Sequence, residues 1–86
     1  MAAAVPTIQS GSLGAPVTVT VTTPRRQMLV ENNDTTNSFT VAWNGSGGSW
    51  TLKNGDRLGI LLVGGVTTVT LTAVAGAPTF QILLQG

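Results

Sequence analysis

The chain has no cysteine, no histidine and no tyrosine among its 86 residues. Without cysteine it can form no disulfide, and a zinc site built from cysteine and histidine ligands is excluded as well. A domain of this length buries only about 60–65% of its unfolded surface, so small domains commonly rely on disulfides, metals or association. Association with another chain is the route that this composition leaves open.

Charge is scarce and unevenly placed. Charged side chains make up 8% of the chain, against about 25% in an average soluble domain. All seven lie between Arg25 and Arg57, so the first 24 and the last 29 residues are uncharged. Nucleic-acid binding needs several basic groups on one face, and the single basic pair Arg25-Arg26 argues against it. The uncharged ends indicate that part of the surface is covered by a partner.

The apolar segments lack the pattern of a signal peptide or a membrane span. Residues 1–6 have no basic n-region and no long apolar h-region. Residues 58–77 are uncharged, but they contain four glycines and many β-branched residues. The period of two over residues 66–73 favours a strand over a membrane helix. We therefore expect neither a leader nor a membrane partner.

The abundant residues are those of β-structure: 14 threonines, 11 glycines and 10 valines. Residues 17–22 alternate valine and threonine, so the valines share one face of a strand. No segment shows a helical period. We predict an all-β protein, a compact β-sandwich or jelly-roll-like module of about seven antiparallel strands over residues 17–86, with an extended N-terminal arm over residues 1–16. The predicted strands are residues 17–22, 26–31, 38–43, 50–53, 58–63, 66–73 and 79–85.

The two tryptophans lie in a predicted hairpin formed by residues 38–43 and 50–53. Pairing Trp43 with Trp50 places every large apolar side chain of the hairpin on one face, which favours a core role for both rings. Alternatively, outward-facing rings could stack on sugar rings, with the polar loop of residues 32–38 beside them. A carbohydrate-recognition role therefore stays open.

A second hairpin is predicted where two glycines separate Val63 from Val66, because glycine supplies the positive φ of a two-residue turn. This turn pairs Ile60 with Val69 on the core face and places Leu61, Val63 and Val66 on the other. Leaving such side chains in water forgoes roughly 1.5–3 kcal/mol each. We expect them to be covered, either by a second sheet or the arm of the same chain, or by another subunit.

The candidate interface residues are apolar positions of the arm and of the outer strand faces, together with the arginine pair. The arginines are either solvated or in contact with an acidic neighbour in an assembly. The interface candidates are Val5, Ile8, Leu13, Arg25, Arg26, Leu61, Val63, Val66 and Leu83.

Catalytic chemistry has few candidate groups. Glu31, Asp34 and Asp56 are the carboxylates, and no histidine, cysteine or tyrosine is present to pair with them. Residues 31–34 and Asn37 offer oxygen ligands of the kind that Ca²⁺ accepts, but their spacing matches no defined calcium loop. We predict turn and solubility roles for these carboxylates, and no catalytic residue, cofactor or metal.

Several segments together resemble the small all-β virion proteins of tailed bacteriophages, especially the capsid decoration (cement) proteins. They are the arm rich in alanine, glycine and proline, the valine-threonine strand of residues 17–22, the hairpin of residues 49–56 and the last strand, residues 81–85. The resemblance implies a non-enzymatic module at the capsid surface of the virion, made in the host cytoplasm. Its partners would be further copies of itself, often in trimers, and a capsid or other virion subunit.

The alternative function is that of a tail-fibre, spike or neck module. Such a module would recognise a host receptor or glycan, and Trp43 and Trp50 are the residues that would contact it.

Overall fold

The structure, a computed structural model, describes residues 7–44 and 48–86, with the backbone alone for residues 62–64. The described chain is all-β, as predicted. Its six strands are β1 (Thr7–Ser12), β2 (Val17–Asn32), β3 (Phe39–Trp43), β4 (Trp50–Leu52), β5 (Arg57–Ala73) and β6 (Thr79–Gln85).

The six strands form one sheet with antiparallel pairing throughout, in the order β1-β6-β2-β5-β3-β4. The two longest strands, β2 and β5, lie in the middle and contain 16 and 17 residues. One continuous sheet does not by itself define a sandwich or a jelly roll. That finer part of the fold prediction therefore stays a prediction.

The two long strands divide the sheet into two halves. In the first, residues 17–20 of β2 pair with residues 68–71 of β5, and β3 and β4 continue the sheet. In the second, residues 27–31 of β2 pair with residues 57–61 of β5 on one side and with β6 on the other. We call these parts the β3 half and the β6 half.

The pairing of β2 with β5 is interrupted between the halves, where Pro24 of β2 approaches Gly65 of β5, and we call this interruption the bend. The register shifts between Thr20 and Arg25 and again between Arg25 and Gln27. Pro24 has no N–H to donate, so it suits a position where the ladder is interrupted. Gly65 has a φ of 76°, and a Cβ added to it would lie 2.8 Å from the Pro24 Cβ. Glycine is the residue that permits both the conformation and the approach.

The predicted hairpin at the glycine pair is wrong. Residues 57–73 form one strand, and Ile60 pairs with Met28, not with Val69. Residues 58–63 and 66–73, the two predicted strands, both pair with β2, because β2 is long enough to pair with each of them along a different part of its length. In the structure Val66 is fully buried, whereas a two-residue turn would have placed it on the outer face.

Two mergers and one addition change the strand count from seven to six. The predicted strands 17–22 and 26–31 are parts of β2, and 58–63 and 66–73 are parts of β5. The addition is β1, which pairs with β6 from Thr7 opposite Leu84 to Ser12 opposite Thr79. This part of the predicted arm therefore completes the chain's own sheet.

The tryptophan hairpin forms in a different register from the predicted one. Val41 pairs with Trp50 and Phe39 with Leu52, so β4 is displaced by two residues from the pairing of Trp43 with Trp50. Because side chains alternate with a period of two, this displacement leaves every side chain on its predicted face.

One cluster of buried apolar side chains draws on both halves of the sheet. Val19 and Val69 belong to the β3 half, whereas Val30 and Ile82 belong to the β6 half, and none of the four is more than 3% exposed. The two halves of the sheet therefore contribute to one shared core. The cluster comprises Leu13, Val19, Met28, Val30, Phe39, Val41, Leu52, Val66, Val69, Leu71, Phe80, Ile82 and Leu84.

Asn32, at the end of β2, is a polar side chain buried beside this core. Its Nδ2 donates to the carbonyl oxygens of Asn37 at 3.0 Å and of Leu52 at 2.9 Å. Its Oδ1 accepts the backbone N–H of Asp34 at 2.9 Å. Since Leu52 lies in β4, this one side chain links the end of the β6 half to the edge of the β3 half, with its hydrogen bonds offsetting the cost of burial.

Replacing Gly65 by alanine tests the bend. We expect Gly65→Ala to lower the free energy of unfolding by about 1–3 kcal/mol, because a side chain is strained at this φ and meets Pro24. Urea denaturation followed by circular dichroism measures the change. Gly14→Ala is the matched control, since Gly14 lacks a positive φ and an added Cβ would meet nothing within 4 Å. Equal midpoints for the two variants would contradict the role of Gly65.

Candidate interaction surfaces

The outward face of the β6 half carries an apolar row that crosses four strands. Ile8 of β1 lies opposite Leu83 of β6. Leu83 lies opposite Leu29 of β2, which in turn lies opposite Gly59 of β5. Directly opposite residues share a face, so these positions form one line. We call Ile8, Leu29, Gly59, Leu61 and Leu83 the leucine face.

Leu61 extends this face into a shallow groove. Leu61 lies opposite Gln27, and Gln27 lies opposite Gln85, which makes a second row next to the first. Because Gly59 has no side chain, the surface dips between Leu29 and Leu61. The resulting groove has a volume of about 280 Å³, within which an apolar side chain of a partner could be accommodated.

The leucine face is open to solvent. Ile8 is 63% exposed and Leu61 is 72% exposed, while the other two leucines are half-buried. The nearest charged pair, Glu31 opposite Arg57, lies in the next row, at the border of the face. An apolar patch with a polar border is typical of protein–protein contact sites.

The outward face of the β3 half has a different chemistry. Thr18 lies opposite Thr70 with their hydroxyl oxygens 3.4 Å apart, and Thr40 lies opposite Thr72. Threonine presents a hydroxyl to water as well as a methyl group, so this face gains less from being covered. The two halves of one sheet therefore offer two distinct surfaces.

Three of the predicted interface residues, Ile8, Leu61 and Leu83, meet on the leucine face. Leu29 is a member that the sequence-based prediction missed. A signal for it was present, because period-two alternation along β2 places Leu29 on the same face as Gln27 and Glu31.

Two other interface predictions are wrong. Leu13 is 1% exposed, and its backbone N–H donates to the Pro78 carbonyl at 2.9 Å. Val66 has no exposed surface, and β5 continues through the predicted turn as one strand. Both side chains are already covered by their own chain. Val5 and the side chain of Val63 lie outside the described residues.

Arg25 and Arg26, which were predicted as interface residues, lie at the bend. Arg25 is half-buried and pairs with Val66 across the interrupted ladder, whereas Arg26 is exposed. The contact of this pair with an acidic neighbour stays a prediction.

Trp43 and Trp50 stack on each other at one end of the β3 half. Their ring centroids are 6.4 Å apart and their planes differ by 3°, a parallel offset arrangement that aromatic pairs favour. Trp43 is half-buried against the core, as the core prediction requires. Trp50, in contrast, is 53% exposed, so the pair combines an anchored ring with an accessible one.

The aspartates organise two turns. In the loop between β2 and β3, Asp34 Oδ2 accepts the backbone N–H groups of Asn37 at 2.7 Å and of Thr36 at 3.1 Å. These hydrogen bonds, chiefly that from Asn37, favour the charged carboxylate and lower the pKa of Asp34 below its ordinary value. In the turn before β5, Asp56 Oδ2 accepts the Lys53 N–H at 3.0 Å.

A polar groove of about 240 Å³ lies between these two turns, with Glu31, Asp34, Asp56 and Arg57 in its lining. Within residues 7–44 and 48–86, no three side chains of the aspartate, glutamate, histidine or cysteine type come together in a way that could hold a metal ion. The observed contacts of Asp34 and Asp56 are those of turn-forming residues.

The comparisons with known proteins found no relative. No family model matches the chain, no curated protein matches it, and no solved structure matches it. The part of the chain that the structure describes contains no helix long and apolar enough to cross a membrane.

Replacing Asp34 by alanine should make stability less dependent on pH in the acid range. The native pKa of Asp34 lies below its ordinary value of 3.8, so its contribution is fully present above that value and is lost as the pH falls through the native pKa. The difference in unfolding free energy between the wild type and Asp34→Ala should be largest at neutral pH and shrink in strong acid. Urea denaturation across this range measures it.

Asp34→Asn is the control, because it keeps an oxygen acceptor for the loop but cannot titrate. Identical pH profiles for the wild type and Asp34→Ala would contradict the assigned role.

Proposed function

We propose that this protein is a non-enzymatic structural subunit that binds another subunit through its leucine face. The observation that carries the proposal is the exposed apolar row across four strands, with Glu31 and Arg57 at its border. Burying the exposed parts of Ile8 and Leu61 would contribute roughly 1–2 kcal/mol each, at about 25 cal/mol per Å². An isolated monomer forgoes that free energy.

The contacts of the carboxylates support a non-enzymatic role. Asp34 and Asp56 accept backbone N–H groups within their own turns. A general acid or base works best with a pKa near the working pH, whereas the hydrogen bonds to Asp34 shift its pKa in the opposite direction. Such groups stabilise loops.

The specific form that the sequence resemblance favours is a capsid decoration protein of a tailed bacteriophage. It would bind a capsid or other virion subunit at the particle surface. Several copies of the chain would also associate with each other, and the resemblance implies a trimer. Binding of this kind stabilises a shell by the same linkage through which a ligand stabilises a folded protein. Because the two rows of the leucine face carry no charge, salt should screen the contact little.

Substitution of Leu61 by aspartate tests this proposal. We expect Leu61→Asp to weaken binding to the particle about ten- to a hundredfold, because burial of a leucine contributes about 1.5–3 kcal/mol and a buried carboxylate adds a desolvation cost. The particles are produced from the genome that encodes this chain, with the gene for the chain deleted, so that the particles lack the protein. Co-sedimentation with the purified chain in molar NaCl, followed by quantification of the bound chain, measures the binding.

Val74→Asp is the matched control, since Val74 is 62% exposed but lies outside the leucine face. This variant should bind as the wild type does, and both variants should keep the wild-type thermal transition. Release of the wild type by NaCl alone, or equal losses for the two variants, would argue against the proposal.

A further inference from the structure

We infer that the stacked tryptophans form a second binding site, which takes a neutral saccharide. Trp43 and Trp50 belong to β3 and β4, whereas the leucine face is built on β1, β6, β2 and the first part of β5. The two surfaces share no residue. This site is therefore independent of the subunit contact proposed above.

Trp43 is the anchored half of the site. It lies opposite Val69, which has no exposed surface, and packs against the core. The next residue, Asn44, is tied to β5, because its Oδ1 accepts the N–H groups of Thr67 and Thr68 at 3.0 Å each. The strand end that carries Trp43 is thus held in place, and a pre-organised ring loses little conformational freedom when a ligand binds.

Trp50 is the accessible half. Its ring is parallel to that of Trp43 within 3°, and the 6.4 Å between the centroids means that the rings are offset and overlap only in part. Stacking on Trp43 supports one face of Trp50 and leaves its opposite face as the apolar plane that a ligand can contact. With 53% of Trp50 exposed, that plane is open to a ligand.

Polar groups lie beside this plane. β4 is the last strand in the sheet order, and in the described chain it pairs with β3 alone. Apart from the Leu52 carbonyl, which accepts Asn32 Nδ2, its outer edge therefore presents backbone N–H and C=O groups. An apolar plane bordered by such groups matches a sugar ring, which has C–H groups on its faces and hydroxyls at its rim.

The neighbouring strand segments carry no charge. β3, β4 and residues 66–73 of β5 contain no acidic or basic side chain. A nucleic-acid ligand would need basic groups for its phosphates, which these segments lack. The local chemistry thus favours an uncharged ligand, and among ligands that stack on indole a neutral saccharide meets this condition.

The chain contains two tryptophans and no tyrosine, so its indole fluorescence reports on this pair directly. We expect titration with neutral oligosaccharides of glucose, galactose and N-acetylglucosamine to give a saturable change in emission for at least one of them. Isothermal titration calorimetry measures the affinity. Trp50→Ala should weaken that binding about tenfold or more, because it removes the accessible ring, while the thermal transition stays close to that of the wild type.

Two further variants separate the possible causes of a loss. Trp50→Phe keeps an aromatic plane and should retain part of the affinity even if Trp50→Ala unfolds the hairpin. Leu61→Asp should bind the saccharide as the wild type does, whatever its effect on subunit binding. Wild-type affinity in Trp50→Ala, or no saturable binding of any of the oligosaccharides at millimolar concentration, would overturn the inference. So would saturable binding of tetramethylammonium or of oligothymidylate in place of the saccharides.

Discussion

The close approach of Pro24 to Gly65 is the constraint on which the rest of the structure depends. Proline supplies no donor to the ladder, and glycine supplies the positive φ and the missing side chain that let the two long strands come together there. Beyond the interruption, β2 pairs with β5 again. In the β3 half, β3 lies beside β5, whereas in the β6 half, β6 lies beside β2. Side chains of both halves contribute to one core, which gives a small chain without disulfides an interior.

The bend also decides what each part of the surface presents. In the β6 half, the outward positions of four strands align Ile8, Leu83 and Leu29 into an apolar row. In the β3 half, the outward positions are largely threonines, and the tryptophan pair lies at the end of the inner face. Most of the charged side chains lie around the turns at one end of the β6 half, where Asp34 and Asp56 hold the backbone. The uneven charge of the sequence thus has a spatial counterpart, and the weakly charged surfaces are the ones for which we propose ligands.

Much of this arrangement follows from alternation along the strands. Val19 faces inward and Thr18 outward, as the period of two predicts. Even the displaced register of the tryptophan hairpin keeps each side chain on its predicted face, because the displacement is an even number of residues. Val66 was assigned wrongly for a specific reason. Its flanking glycines are a strong local signal for a turn, but pairing of the whole of β5 with β2 outweighs that signal.

By itself, the sequence determined the all-β class, the positions of most strands and the inward face of each, because alternation, β-branching and turn-forming residues act over a few neighbouring positions. The tertiary structure decided which strand lies beside which. It joined the separately predicted segments into β2 and β5, drew residues 7–12 into the sheet and buried Leu13. The tertiary structure also placed Leu29 beside Leu83, in one row with Ile8. A surface that crosses four strands depends on pairings between residues far apart in the chain. Such pairings are selected by the burial of the whole core. Because the core draws on residues from many segments, no short segment determines the pairings by itself.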